Sequence, residues 1–169
     1  MAAPLALAAV VGTGVVAAPA SADTPWIPYR EGELLIPAAR STCGFDVRIT
    51  PLEDDEEYRT TSTWPDGSPR TLEFRGTLVE RYTNESTGAS VERDLSATAV
   101  FALREDGSPE SLTSVHGAFG ATMPPGSTPD TGLYVLGGHG TSVTFNPDGT
   151  HTFELGPHGT AEDVCDALA

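Results

Sequence analysis

Apolar and polar residues alternate from Phe45 onward. Phe45, Val47 and Ile49 share one face, while Asp46, Arg48 and Thr50 share the other, which is the period of a half-buried strand. The acidic run Glu53-Asp54-Asp55-Glu56-Glu57 interrupts this pattern and reads as a solvated loop. Tyr58 to Trp64 reads as a second, poorer strand, stopped by Pro65-Asp66-Gly67.

The next hairpin carries the firmest register. Leu72, Phe74, Gly76, Leu78 and Tyr82 lie on one face of a long strand, and Leu95, Ala97, Ala99, Phe101 and Leu103 on one face of the next. Pairs whose numbers sum to 173 place Tyr82 opposite Val91, Leu78 opposite Leu95 and Phe74 opposite Ala99. The same register sets Glu80 against Arg93 and Arg81 against Glu92, so apolar and charge matching agree. A slip of one residue would destroy both. Gly88 is available for a positive φ in the intervening turn, Asn84 to Ala89.

Asn146-Pro147-Asp148-Gly149 suits a type I turn with a glycine bulge. It predicts pairs summing to 296: Phe145 with His151, Val143 with Phe153, Thr141 with Leu155. Between these hairpins, Leu112 to Met123 reads as a strand with Val115, Phe119 and Met123 in phase, and Leu133 to Phe145 as the next, with Phe119 lying over Gly137. Thr160-Ala161-Glu162-Asp163 is expected to open a short helix capped by Thr160, with Val164, Cys165 and Leu168 on its inner face. About seven strands in sequential hairpins predict an all-β fold: an antiparallel meander forming an up-and-down barrel or bent sheet/sandwich, with a short C-terminal helix.

The chain before Phe45 has a different character. Leu5 to Ala18 is an apolar run, and Ala20-Ser21-Ala22 fits a signal-peptidase site, so residues 1–22 are expected to be a signal peptide. The run is short of a bilayer span, and no membrane span is expected in the mature chain. Residues 23–42 form a Pro/Ala-rich lead-in, and 43–169 a single domain. In an exported chain the two cysteines, Cys43 and Cys165, are expected to form a disulfide.

All nine cations are Arg, a bias of GC-rich genomes, and the net charge is −15. Such a chain lacks the cations that binding nucleic acid or an anionic membrane requires. No His pair has helical metal spacing, no G-x-S-x-G elbow is present, and the acidic run lacks the glycine and spacing of a calcium loop. Asn84-Glu85-Ser86 matches the glycosylation triplet and reads as a chance match.

Cys43-Gly44-Phe45, the Asn146–Gly149 turn and the terminal Asp163 to Leu168 segment resemble small exported two-cysteine β proteins of high-GC bacteria, a group with no assigned function. The resemblance implies a β fold and a disulfide, and brings no catalytic residue.

Small residues on the inferred inner face (Gly76, Ala97, Ala99, Gly117, Gly137) would leave interior space. The expected function is therefore an exported, non-catalytic protein binding a small apolar ligand or a cell-envelope component, with no cofactor. Leu133, Val135, Gly137, His139, Thr141, Val143 and Phe145 share a face, which makes His139 the candidate ligand-lining residue. The alternative is a hydrolase or isomerase with its site inside the barrel around His139.

Overall fold

The computed structural model describes residues 24–40 and 42–169. The expected signal peptide lies outside the described residues.

Among the described residues, eleven strands and one helix form a meander. The strands are β1 (Ile27–Tyr29), β2 (Leu34–Ile36), β3 (Val47–Thr63), β4 (Pro69–Asn84), β5 (Ser90–Asp94), β6 (Ala97–Leu103) and β7 (Pro109–Met123). They continue through β8 (Gly132–Gly137), β9 (Ser142–Phe145), β10 (His151–Glu154) and β11 (Thr160–Asp163), and α1 (Val164–Leu168) closes the chain. Several short strands are halves of one longer strand. β1 and β2 pair with the two ends of β3, β5 and β6 with the two ends of β4, and β8 and β9 with the two ends of β7. β11 then pairs with β8, and β10 with β9. Counted this way there are seven long antiparallel strands in chain order, forming one open, bent sheet.

The bend has a cause in the sequence. The breaks in successive strands lie side by side, from Gly76 opposite both Glu56 and Ala97, to Ala97 opposite Gly117, to Gly117, whose carbonyl accepts from Gly138 N. Gly76 and Gly117 have φ of +145° and +84°. A Cβ there would stand 2.3 Å from the Asp55 carbonyl oxygen and 2.0 Å from that of Ser96, respectively. Only glycine lets neighbouring backbones cross so closely, so the sheet folds along this line. Its two halves face each other across the interior.

The 173-sum register holds from Thr71–Ala102 to Thr83–Ser90. The 296-sum register holds through β9 and β10, but β10 stops at Glu154, which leaves Leu155 46% exposed instead of opposite Thr141. Three expectations shift. A bulge between Thr98 and Ala99 on one side and Ser114 and His116 on the other extrudes Val115, so Ser114 takes the inner place and Val115 is exposed. Ala118, not Phe119, lies opposite Gly137, and Phe119 pairs with Leu136. Residues 160–163 extend the sheet as β11, and the helix N-cap is Asp163, whose Oδ1 accepts from Cys165 N at 2.8 Å.

Val164 and Leu168 of α1 are buried against Val47, Ile49, Tyr82 and Leu133, which plugs one end of the sheet. The Cys43–Cys165 disulfide anchors this plug, and Asn84 Nδ2 donates to the Leu168 carbonyl. Asn84 is buried, so the glycosylation triplet presents no accessible amide. No helix among the described residues is long and apolar enough to cross a membrane.

Candidate functional site

Between its two halves the folded sheet leaves a half-open cavity of about 420 Å³. Its walls come from both halves. Phe74, Ala97, Ala99, Phe101 and Leu112 line one side, and Leu78, Tyr82, Phe119, Ala121 and Leu133 the other. The inner alanines are what leave the space, since longer side chains at 97 and 99 would fill it. Phe74 and Phe101 meet edge to face at 6.4 Å between centroids, and Tyr29 packs on Phe74 at 5.7 Å. The aromatic row continues through Phe145 to His151.

One part of this lining is acidic. Glu80 sits between Leu78 and Tyr82 on the inner face of β4 and is 5% exposed. Tyr82 Oη donates to Glu80 Oε2 at 2.6 Å. The register does set Arg93 opposite Glu80, but the Arg93 guanidinium reaches past it to grip Glu162 on β11. Glu31, in the link between β1 and β2, brings its carboxyl into the field of Glu80, and the like charges oppose each other. Glu56 completes the group from β3, and its Oε2 is shut off from solvent with no hydrogen-bond partner.

The acidic run is thus not the expected solvated loop. β3 runs through it without a break in pairing beyond a bulge between Pro51 and Glu53. The alternation continues, so Glu53 and Asp55 face water while Asp54 and Glu56 turn inward. Asp54 Oδ2 accepts from Glu31 N at 2.6 Å and so holds the β1–β2 link over the cavity.

These carboxyls bear one another's field: Glu80 is buried and Glu56 partly so, while Glu31 keeps much of its surface in solvent. Burial pushes Glu31 up to about 7, helped by the neighbouring Glu80, Glu56 and Asp54. Burial likewise pushes Glu56 up to about 7, with Asp54 and Glu80 adding to it and Arg30 partly opposing. The Tyr82 hydroxyl is pushed far up by burial and by Glu80, and it stays a donor. No Arg, Lys or His among the described residues lines the cavity. Among the described residues, no three His, Cys, Asp or Glu side chains converge closely enough to hold a metal ion.

His139 is not in this site. Gly138-His139-Gly140 forms a turn that separates β8 from β9, so the alternation ends at Gly137 and resumes at Thr141. The His139 ring lies exposed on the surface with its Nδ1 3.0 Å from the Val115 carbonyl oxygen. The expected inward His139 is corrected by two glycines read as strand residues. His151 does reach inward, resting on Phe145 with Nδ1 2.7 Å from the Thr122 carbonyl oxygen, yet it too stands outside the cavity lining. Glu80 was legible in the sequence, because it shares the even-numbered face of Leu78 and Tyr82. Its cross-strand match to Arg93 made it look neutralised.

The chain matches no family model, no curated protein and no solved structure, so its chemistry rests on its own residues.

Proposed function

We propose that the protein acts outside the cytoplasm as a non-catalytic carrier or receptor for a small ligand whose apolar body fills the sheet cavity. The observation that carries this reading is the cavity itself. At about 420 Å³ it falls within the ordinary range of ligand sites, and aliphatic and aromatic side chains make up most of its wall. The Cys43–Cys165 disulfide supports an oxidising compartment, in keeping with the signal sequence read at the N-terminus.

The test is native mass spectrometry of the protein secreted by its own host, alongside an Ala99→Phe variant. Ala99 stands on the cavity wall, and a benzyl group there occupies the space a ligand would take. A small organic mass retained by the parent and lost in the folded variant supports the reading. A parent that retains no such mass, and binds no apolar fluorescent probe that Ala99→Phe excludes, refutes it.

A second reading is favoured by one observation. Glu31 and Glu80 both line the apolar cavity, and burial together with Glu80 pushes Glu31 up to about 7, an arrangement suited to general acid–base transfer. A catalytic site, if the protein has one, centres on this pair and Tyr82 and not on His139. Turnover of a ligand recovered from the host, abolished by Glu80→Gln with ligand retention intact, would establish it.

A further inference from the structure

We infer that the ligand carries a cationic nitrogen head, held among Glu31, Glu56 and Glu80 beside the Tyr29 ring, with its apolar body lying along Phe74 and Phe101. This inference rests on the binding reading above and specifies its ligand class.

Three features carry it. The first is an imbalance of charge: among the described residues, three carboxyls line the cavity and no cationic side chain does. The nearest cations are committed elsewhere. Arg30 holds Asp55 at 2.8 Å and the Glu56 carbonyl at 3.0 Å from outside, and Arg93 is bound to Glu162. The second is an unmet acceptor. Glu56 Oε2 is out of reach of solvent and receives no hydrogen bond, although it belongs to a carboxyl on the cavity wall. A buried acceptor left in that state calls for a donor, and a turn of the carboxyl toward the cavity would let a ligand N–H supply one. The third is the aromatic row. Tyr29 and Phe74 stand at 5.7 Å, edge to face, next to the carboxyls. Ring faces together with carboxylates are the ordinary surroundings of an alkylammonium group.

Other head groups fit less well. An anionic head would add to a field that already keeps Glu31 and Glu56 protonated to about 7. A bare metal ion lacks the converging ligands it needs among the described residues. A cationic head reverses the sign of the problem: it replaces the protons that the carboxyls otherwise retain.

The groups that set the pH dependence come from each element around the head. Tyr29, Arg30 and Glu31 belong to β1 and its link, Asp54 and Glu56 to β3, Glu80 and Tyr82 to β4, with Arg93 of β5 and Glu162 of β11 behind them. Between about pH 5 and 7 the cation must displace a proton, so its affinity falls as the solution is acidified.

The experiment uses the mature chain and three probes with one tail: octylammonium, 1-octanol and octanoate, all below their micellar concentrations. Isothermal titration at about pH 8 should give the ammonium about tenfold tighter binding than octanol, with octanoate weakest. At about pH 5.5 the ammonium should lose most of that preference while octanol is unchanged. Near pH 6.5, titrations in two buffers of different ionisation enthalpy should show proton release with the ammonium and none with octanol. Glu56→Gln should remove the preference at pH 8 and spare octanol binding. Glu80→Gln should do the same if it folds, and Glu56, being only half-buried, keeps the test open if it does not. Octanol binding as tightly as the ammonium, or a preference that survives Glu56→Gln, overturns the cation inference and leaves the cavity reading standing. Failure of all three probes to bind overturns both.

Discussion

Tyr82 Oη donates to Glu80 Oε2 at 2.6 Å, between two residues on the same inner face of β4. Tyr82 is 1% exposed and Glu80 5% exposed, so water cannot stand in for either partner. Alternation on a strand puts residues i and i+2 on one side, and here the pairing turns that adjacency into a buried acid with its own donor. Tyr82→Phe keeps the ring and removes the donor. We expect it to destabilise the fold by about 1–3 kcal/mol, the cost of an unmet buried acceptor. Glu80→Gln, whose amide oxygen still accepts from Tyr82, should cost less. Urea unfolding midpoints of the two variants measure the order, and a Tyr82→Phe protein as stable as the parent would show the bond to be energetically idle.

Stability should rise on mild acidification. Glu31 and Glu56 are held near 7 in the fold against an ordinary 4.5, so the folded state binds more protons than the unfolded one between those limits. Their contribution is complete below about pH 4.5 and is lost as pH passes 7. Solvent reaches both groups in part, which reduces the ideal 1.36 kcal/mol per unit to about 1–2 kcal/mol for the two together. Other carboxyls act in the opposite sense at lower pH. Arg48 holds Glu85 below its ordinary range, and Arg93 does the same for Glu162, so stability falls again once these are protonated. Unfolding free energies measured from pH 3 to 9 should therefore peak near pH 5. Glu56→Gln should flatten the alkaline limb, and a parent profile already flat from pH 5 to 8 would contradict the placement of both carboxyls.

Arg93 tests the register and its charges together. It stands opposite Glu80 and donates through Nε to Glu162 at 2.8 Å. Arg93→Ala loses the Glu162 pair, a partly exposed bridge worth about 1 kcal/mol or less. Arg93→Glu loses the same bridge and adds a carboxylate facing both Glu80 and Glu162. It should cost at least about 1 kcal/mol more than alanine, and more at pH 8 than at pH 5. Equal costs would mean that the side chain at 93 does not approach Glu80.

Much of the fold was legible because local chemistry and long-range pairing agree. The 173-sum register needed only that apolar residues match apolar ones and charges match opposite charges. The Asn146–Gly149 turn was legible because proline and glycine define it, and its Asp-Gly half recurs in two further turns. At Asp66-Gly67-Ser68, Asp106-Gly107-Ser108 and Asp148-Gly149-Thr150, the aspartate accepts from both the backbone N–H and the hydroxyl of the third residue. The site was illegible for a different reason. Five acids in a row look solvated by composition, and that composition masks the alternation that turns Glu56 inward. Glu31 lies in a segment without periodicity and enters the site only because Asp54 holds the link that carries it. His139 failed because two flanking glycines allow a turn where alternation alone predicts a strand.

The disulfide should matter through the plug. Cys43 and Cys165 are 122 residues apart in sequence, so the bond constrains the unfolded chain over nearly the whole described domain. Replacing both by serine should cost about 2–4 kcal/mol. Val164 and Leu168 remain apolar and packed, so the sheet should still form with the helix less firmly held. Hydrogen exchange of the α1 amides should accelerate more than that of β6 and β7. Uniform acceleration across the sheet would assign the bond a global role and no special hold on the helix.

The bend line admits a controlled test, because the fold offers two glycines with nearly the same backbone angle and opposite surroundings. Gly117 has φ +84° and Gly149 has φ +85°. An added Cβ meets nothing within 4 Å at Gly149, but at Gly117 it would lie 2.0 Å from the Ser96 carbonyl oxygen and 2.8 Å from the Ala97 Cα. Alanine at either site carries the left-handed penalty of about 1–2 kcal/mol. Only Gly117→Ala must also push apart two strands hydrogen-bonded along their length, and the atoms in the way are backbone. We expect Gly149→Ala to cost about 1 kcal/mol and Gly117→Ala at least about 3 kcal/mol. The second should also weaken binding of the neutral octanol probe, since the wall carrying Ala97 and Ala99 moves with the bend. Equal losses at the two glycines would show that backbone angle alone matters, and that the sheet folds over its cavity without needing the close crossing at Ser96.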